Sequence, residues 1–247
     1  MHVLITRPEA EGQALKAEVE RLGVRATLAP LISVLPNTIP ASAVANAEAL
    51  IATSRNALKA LAASPAAFEA ARSLPLYVVG PGTAALARTL GFTDIIEGPG
   101  TALGLMPLLS ARGRGAGRPL VHLTGDVLAF DLKAALAAEE INIVSIPAYA
   151  SVAATELPPT VAAGLATRDI DAVILMSPRT ARTWASLVAA LVPAPDLSDL
   201  IHICLSETVE EGLAALGNAK MTLVARKPNQ EEVLALLKCL AADFGTR

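Results

Sequence analysis

Short aliphatic runs alternate with Ala/Leu-rich stretches along the whole chain. The runs at residues 2–6, 50–53, 76–79, 120–123, 172–175 and 201–205 have the length of buried strands. Residues 10–22, 56–63, 83–90, 130–139, 178–190 and 207–216 read as helices. Gly23 stands where a left-handed residue would stop the first helix. Residues 25–35 read as extended and broken at Pro30. Strand followed by helix, many times over, predicts an α/β fold with parallel sheets covered by helices on both faces. Up to about ten strands suit two small doubly wound sheets better than one wide sheet.

The two parts of the chain also resemble each other. Val3-Leu4-Ile5-Thr6 is similar to Val121-His122-Leu123-Thr124, and Leu15-Lys16-Ala17 to Leu132-Lys133-Ala134. Ala29-Pro30-Leu31 falls near Ile146-Pro147-Ala148 in register. Ser54-Arg55-Asn56-Ala57 matches Ser177-Pro178-Arg179-Thr180-Ala181, and residues 80–91 match 206–217, each ending in Leu-Gly. Ala-rich helices look alike in any case, but here the strand-to-helix junctions match as well. Two similar α/β halves would leave a cleft between them, a common place for a ligand.

Composition narrows the function classes. Hydrophobic residues make up 53% of 247, enough for a large core. No apolar run approaches the ~20 residues of a spanning helix. The start lacks a basic region followed by an apolar stretch, because Arg7 and Glu9 come early, so the expected compartment is the cytoplasm. Cys204 and Cys239 suggest no disulfide scaffold and are expected buried and reduced. A net charge of −3 and 3% aromatics argue against nucleic acid as a partner. A small-molecule site is the expectation.

Several strands end in a small polar residue where a helix is expected to begin. The junctions are Thr6-Arg7-Pro8, Thr53-Ser54-Arg55-Asn56, Gly80-Pro81-Gly82-Thr83, Thr124-Gly125-Asp126, Ser177-Pro178-Arg179-Thr180 and Ser206-Glu207-Thr208. Ligands of open α/β sheets bind beyond the carboxyl ends of strands, and free N–H groups at helix starts favour anions. Each Ser or Thr is also an ordinary N-cap candidate. A ring of such junctions would suit a ligand with many carboxylates.

Other chemistries lack their motifs. There is no Walker A sequence and no G-x-S-x-G elbow. His2, His122 and His202 sit in or beside strands without metal spacing and read as structural, so no metal site is expected. Gly80, Gly82 and Ala85 imitate a dinucleotide fingerprint, but no acidic residue ends a following strand at the required distance. Residues 113–117 precede a strand and read as a flexible loop.

The order and spacing of these segments resemble the uroporphyrinogen-III synthase family over essentially the whole chain. The likeness runs through Leu4-Ile5-Thr6-Arg7-Pro8, Gly23, Ala29-Pro30-Leu31 and Ala52-Thr53-Ser54-Arg55-Asn56-Ala57. It continues through Val78-Val79-Gly80-Pro81-Gly82-Thr83-Ala84, Leu90-Gly91-Phe92, Pro147-Ala148-Tyr149 and Met176-Ser177-Pro178-Arg179-Thr180-Ala181. The resemblance implies two α/β domains joined by a two-stranded connection: residues 1–35 with 152–247, and residues 36–151. The internal likeness alone suggests a single cut near residue 118.

The resemblance further implies a cofactor-free, monomeric enzyme whose substrate is hydroxymethylbilane, a linear polycarboxylate tetrapyrrole. Loss of its terminal hydroxyl leaves an azafulvene, ring D attacks through its substituted carbon, and a spiro intermediate reopens and recloses with ring D inverted. Tyr149 corresponds to the family's recurrent tyrosine, whose phenol would donate a hydrogen bond to the departing hydroxyl; its plain alternative is a packing or hinge residue. The resemblance matches Ser54, Thr83 and Ser177 to polar positions lining the family's cleft, with Arg7, Arg55 and Arg179 as added charge or plain solvated surface; together with the junctions above, the expected substrate-binding residues are Thr6, Arg7, Ser54, Arg55, Asn56, Gly80, Gly82, Thr83, Ser177, Arg179, Thr180, Ser206 and Thr208. The chain departs from the family at Ser206-Glu207-Thr208-Val209-Glu210, where relatives often carry Gly-Pro-Thr-Thr-Ala. Val209 replaces a threonine there, and Glu207 and Glu210 are expected to favour the helix start rather than face the ligand. A two-lobed binding or sensory protein without catalysis is the rival from another class, and a nucleotide-using α/β enzyme is a second.

Overall fold

The computed structural model describes residues 1–111, 117–128, 130–217 and 221–244. Most of the loop expected at residues 113–117 lies outside the described residues. The chain forms two compact units, Met1–Ser33 with Val152–Arg247, and Val34–Ser151.

The first unit opens with β1 (His2–Ile5), α1 (Glu9–Arg21) and β2 (Arg25–Leu28), and the chain leaves it along β3 (Ile32–Pro36). The second unit begins with α2 (Ala41–Ala45), β4 (Ala49–Ala52), α3 (Arg55–Ala62), α4 (Pro65–Ala71) and β5 (Leu76–Val78). It continues with α5 (Pro81–Thr89), β6 (Ile95–Glu97), α6 (Met106–Ala111), β7 (Leu120–Gly125) and α7 (Leu132–Ala137). The chain returns along β8 (Ile143–Ala153), the hydrogen-bonded neighbour of β3. The first unit is completed by α8 (Pro159–Ala166), β9 (Ala172–Leu175), α9 (Pro178–Ala189) and β10 (Ile201–Cys204), then α10 (Glu207–Glu210), β11 (Met221–Val224) and α11 (Gln230–Phe244).

The sheet of the first unit has the order β11-β10-β9-β1-β2, with every pairing parallel. The sheet of the second has the order β3-β8-β7-β4-β5-β6, parallel from β8 to β6. The internal likeness follows this topology strand for strand. If β1 is matched with β7, β2 with β8, β9 with β4 and β10 with β5, then β2-β1-β9-β10-β11 corresponds to β8-β7-β4-β5-β6. Eleven strands form among the described residues, one more than the alternation suggested. The edge strands β6 and β11 are only partly buried, so they lack the continuous apolar signature of β4, β9 and β10.

Burial on both faces explains the continuous apolar runs. In the first sheet, Leu4, Val173, Leu175 and Cys204 pack under α8 and α9 with Leu165, Ala181 and Trp184. Their neighbours Val3, Ile5, Ile174 and Ile203 pack on the other face against Leu15 and Val19 of α1 and Val233 and Leu237 of α11. The second sheet divides the same way. Leu50, Ala52, Val121 and Leu123 meet Ala57 and Leu61 of α3 and Ala84 and Ala87 of α5. Ala49, Ile51 and Leu120 meet Leu109, Leu132 and Leu136 of α6 and α7. Gly23 ends α1 at φ +76°, its N–H donating to the Glu20 carbonyl at 3.0 Å.

Four local expectations are corrected. The helix expected at residues 130–139 spans only Leu132–Ala137, because Asp131 caps it by accepting from the Ala134 N–H at 2.9 Å. Thr124-Gly125-Asp126 therefore does not open a helix: β7 runs on through Gly125, and the helix waits for Leu132. The helix expected at residues 207–216 is α only over Glu207–Glu210 and 3₁₀ over Glu211–Leu216. Gly212 breaks it and lies so close to α9 that an added Cβ would stand 2.8 Å from the Ala181 Cβ. Cys204 is buried, but Cys239 is exposed. No helix among the described residues is long and apolar enough to cross a membrane.

Candidate active site

Parallel pairing brings strand ends together. In the second unit β8, β7, β4 and β5 are neighbours, so Thr124, Ser54 and Gly80 lie at or just beyond the carboxyl ends of adjacent strands, and Tyr149, midway along β8, lies opposite the end of β7. In the first unit β1, β9 and β10 are neighbours, which brings Thr6, Ser177 and Ser206 to one edge. Within each unit the residues anticipated from sequence thus converge, although they lie far apart along the chain.

In the second unit Ser54 is extended and caps α3, its Oγ accepting from the Asn56 N–H at 3.1 Å. The Ser54 hydroxyl donates to no acceptor among the described residues. Arg55 is exposed and Asn56 half-buried, and the first turn of α3 holds no acidic residue. Thr53 Oγ1 lies 3.2 Å from His122 Nε2, a partner on the neighbouring strand. Gly80 is buried against residues 98–100, and no side chain caps α5, which it precedes. Pro81 has no N–H to offer, and Gly82 faces open space. Thr83 is buried. The start of α5 is accordingly an uncapped, partly positive helix end.

In the first unit Thr6 is fully buried, and its hydroxyl donates to the Ile174 carbonyl at 2.7 Å, tying β1 to β9. The Arg7 guanidinium donates to Gln230 Oε1 at 2.9 Å, and Gln230 Nε2 donates to Glu18 at 3.0 Å. Ser177 is extended and caps α9, accepting from the Thr180 N–H at 3.1 Å, with Thr180 Oγ1 2.7 Å away. Arg179 is half-buried and Thr180 buried. Ser206 Oγ lies 2.9 Å from Thr208 Oγ1. Glu207 and Glu210 are exposed in the first turn of α10.

Tyr149 sits at an irregularity between β7 and β8. The register pairs Thr124 with Pro147 and then Gly125 with Tyr149, so Ala148 is passed over. The bulge is held from both sides: the Asp126 N–H donates to the Tyr149 carbonyl at 3.1 Å, and Asn37 donates to the carbonyls of Ala148 and Pro147 at 2.8 and 2.9 Å. The half-buried phenol lies against Gly125, and its hydroxyl makes no hydrogen bond to a described residue.

His122 is the structural histidine that the sequence suggested; sequence reading missed Asn37, Gln230 and the part played by Gly125. Each acts through a partner distant in sequence, and only the Gly125–Asp126 pair carried a local signal. Burial lowers the pKa of His122 to about 4, with Asp131 opposing, and burial lowers that of His202 to about 4. The His202 ring accepts from Trp184 Nε1 at 3.1 Å. Burial, aided by Glu210, pushes the Cys204 thiol up to about 12, which leaves it inert.

The family model for uroporphyrinogen-III synthase HemD matches residues 13–235. No curated protein matches the chain. Among solved structures, uroporphyrinogen-III synthetase from Helicobacter pylori is similar at 16% identity and a TM-score of 0.65, covering 97% of this chain and 99% of that one. A mutant uroporphyrinogen III synthase from Thermus thermophilus is similar at 17% identity and a TM-score of 0.55, covering 100% of both. At such identities the likeness concerns the fold.

Proposed function

The chain belongs to the uroporphyrinogen-III synthase family, and we propose that the residues at its strand ends bind hydroxymethylbilane and direct its closure. The activity is that of a cyclising lyase of tetrapyrrole biosynthesis: water is lost and ring D is inverted. The family match over residues 13–235 carries this reading.

Each unit by itself offers helix starts to carboxylates of the substrate: α3 and α5 in the second unit, α9 in the first. Backbone N–H groups and the hydroxyls of Ser54 and Ser177 donate to them there, and Arg55 and Arg179 supply charge. The open start of α5 at Gly82 takes a carboxylate through the backbone alone. Tyr149 donates a hydrogen bond to the terminal hydroxyl of the bilane as its C–O bond breaks. The hydroxyl takes up a proton and leaves as water, the lone pair and then the proton of the ring's N–H are given up, and an azafulvene remains. The substituted carbon of ring D attacks it, and the spiro intermediate fragments and recloses with that ring turned over. Binding in a folded shape favours this route over direct closure. The enzyme is monomeric and cytoplasmic, acts without metal or organic cofactor, and has no nucleic-acid partner, a reading supported by the net charge of −3.

The test is an isomer-resolved assay with enzymatically generated hydroxymethylbilane and no added metal or nucleotide. Uroporphyrinogen III should dominate. An isomer ratio equal to the protein-free control would overturn the assignment.

A further inference from the structure

Side chains alternate between the two faces of a regular strand. Ala148 and Tyr149 are consecutive in β8, yet both pack on the cluster that holds Val121 and Leu123 of β7. The β7–β8 bulge is the reason. It passes over Ala148 and pairs Tyr149 with Gly125, the next residue on the Val121–Leu123 face of β7. In unbroken alternation Tyr149 would point to the opposite face, as a one-residue slip dictates. The placement of the phenol over Gly125 thus depends on what holds the bulge.

Asp126 and Asn37 hold it, each placed directly after the last residue of a neighbouring strand. Asp126 follows β7, and its N–H donates to the Tyr149 carbonyl at 3.1 Å. Its side chain then takes the place of a main-chain carbonyl. Oδ1 accepts from the Ser151 N–H at 2.9 Å, the bond that a continuing parallel ladder would make from residue 126. Strand β8 stays bonded while the main chain leaves the sheet toward α7. Asn37 follows β3 on the other side, and its N–H donates to the Ala148 carbonyl at 2.8 Å. Its side-chain amide donates to the Pro147 carbonyl at 2.9 Å. Pro147 has no N–H for a ladder, and proline inside a sheet is confined to such irregular places. Main chain and side chain of Asn37 and Asp126 together secure the peptide groups on both sides of Tyr149.

We infer that Asn37 and Asp126 are positioning residues for Tyr149, their side chains fixing the bulge that lays the phenol over Gly125. The inference rests on the reading of Tyr149 as donor to the departing hydroxyl. Both residues act through the backbone of β8, not on the substrate. A reacting group displaced by about 1 Å can lose about 100-fold in rate, so the clamp bears on kcat rather than on KM. What matters at Asp126 is an acceptor and at Asn37 a donor, and the charge of the carboxylate is incidental.

The experiment uses three variants. Asn37→Asp keeps the size, removes the amide donor and sets a carboxylate against the carbonyls. Asp126→Ala removes the acceptor for the Ser151 N–H, and Asp126→Asn keeps one. Asn37→Asp and Asp126→Ala should each lower kcat roughly tenfold, about the worth of one hydrogen bond, while KM and the product isomer hold. Asp126→Asn should recover most of that loss. In a Tyr149→Phe background the same changes should cost nothing further, whereas a merely structural role would cost as much in both backgrounds. A second measurement reads the phenol without turnover. The chain has two tyrosines, so tyrosine labelled with carbon-13 in its ring gives one signal for Tyr149, assigned by Tyr149→Phe, and one for Tyr77, buried in β5. Asn37→Asp and Asp126→Ala should move the Tyr149 signal toward that of free tyrosine and leave the Tyr77 signal in place. With Tyr149→Phe slow, an unmoved Tyr149 signal, an unchanged kcat or losses repeated in full in the Phe background would each overturn the inference. Asp126→Asn as slow as Asp126→Ala would overturn it too, because charge rather than the acceptor would then be at work. A wild type that makes no type III product, or a Tyr149→Phe variant with unchanged kcat, would overturn the parent reading instead. The tyrosine signals would still decide whether the two side chains place the phenol.

Discussion

The phenol ring of Tyr149 lies directly against the bare Cα of Gly125: a Cβ placed there would stand 2.8 Å from the ring Cζ and 2.9 Å from the hydroxyl oxygen. The two residues are register partners across the β7–β8 bulge. Glycine at this position therefore sets where the phenol rests. Gly125→Ala should displace the ring without unfolding the sheet, because the clash falls on the far end of one side chain. The expected result is a large fall in kcat with a small change in Tm. The loss should not deepen when Tyr149→Phe is added, since both changes remove the same hydroxyl from the same place. Additive losses would separate Gly125 from the phenol.

Tyr149→Phe removes only the donor and keeps the packing. Loss of general-acid help typically costs about 100-fold or more, so kcat should fall by that order while Tm holds. The residual product should remain type III, because the fold of the bound bilane selects the isomer. Unchanged kcat would reduce Tyr149 to a packing residue, and loss of folding would make it a structural one.

Ser54 and Ser177 both spend a lone pair on an N-cap bond. Ser54→Ala and Ser177→Ala should each lower stability by about 1 kcal/mol. If backbone N–H groups dominate carboxylate recognition, each should lower kcat/KM by no more than an ordinary neutral hydrogen bond, about 1 kcal/mol. Recognition dominated by charge predicts instead that Arg55→Ala and Arg179→Ala are far more damaging. Steady-state kinetics of the four variants, corrected for folded fraction, decides between the two.

His122 and His202 make stability depend on pH. Burial lowers both native pKa values to about 4, against an unfolded value near 6.5. Between these values the unfolded chain binds protons that the native chain does not. The stabilisation is complete above about pH 6.5 and drains away as pH falls toward 4, by up to about 1.4 kcal/mol per pH unit for each imidazole. Urea midpoints at pH 7 and pH 5 should show the drop. His202→Gln keeps an acceptor for the Trp184 N–H and should remove about half of it. A flat profile would mean that neither ring stays neutral.

The sequence by itself determined the alternation of strand and helix, the parallel α/β fold and the cap positions Ser54 and Ser177. These rest on local physics: continuous apolar runs buried on two faces, helical spacing between them, and a hydroxyl able to accept from an N–H two or three residues on. Tertiary structure decided what depends on approach between distant segments. The pairing of β1 with β9 places the chain's opening strand in a sheet completed near its far end, whereas local pattern alone was equally compatible with one cut near residue 118. Thr6 reads like Ser54 in sequence, yet β9 buries it and claims its hydroxyl through the Ile174 carbonyl. Gln230 meets Arg7, and Gly125 meets Tyr149, only because parallel strands in register bring their ends together, and no periodicity along the chain encodes a contact made across it.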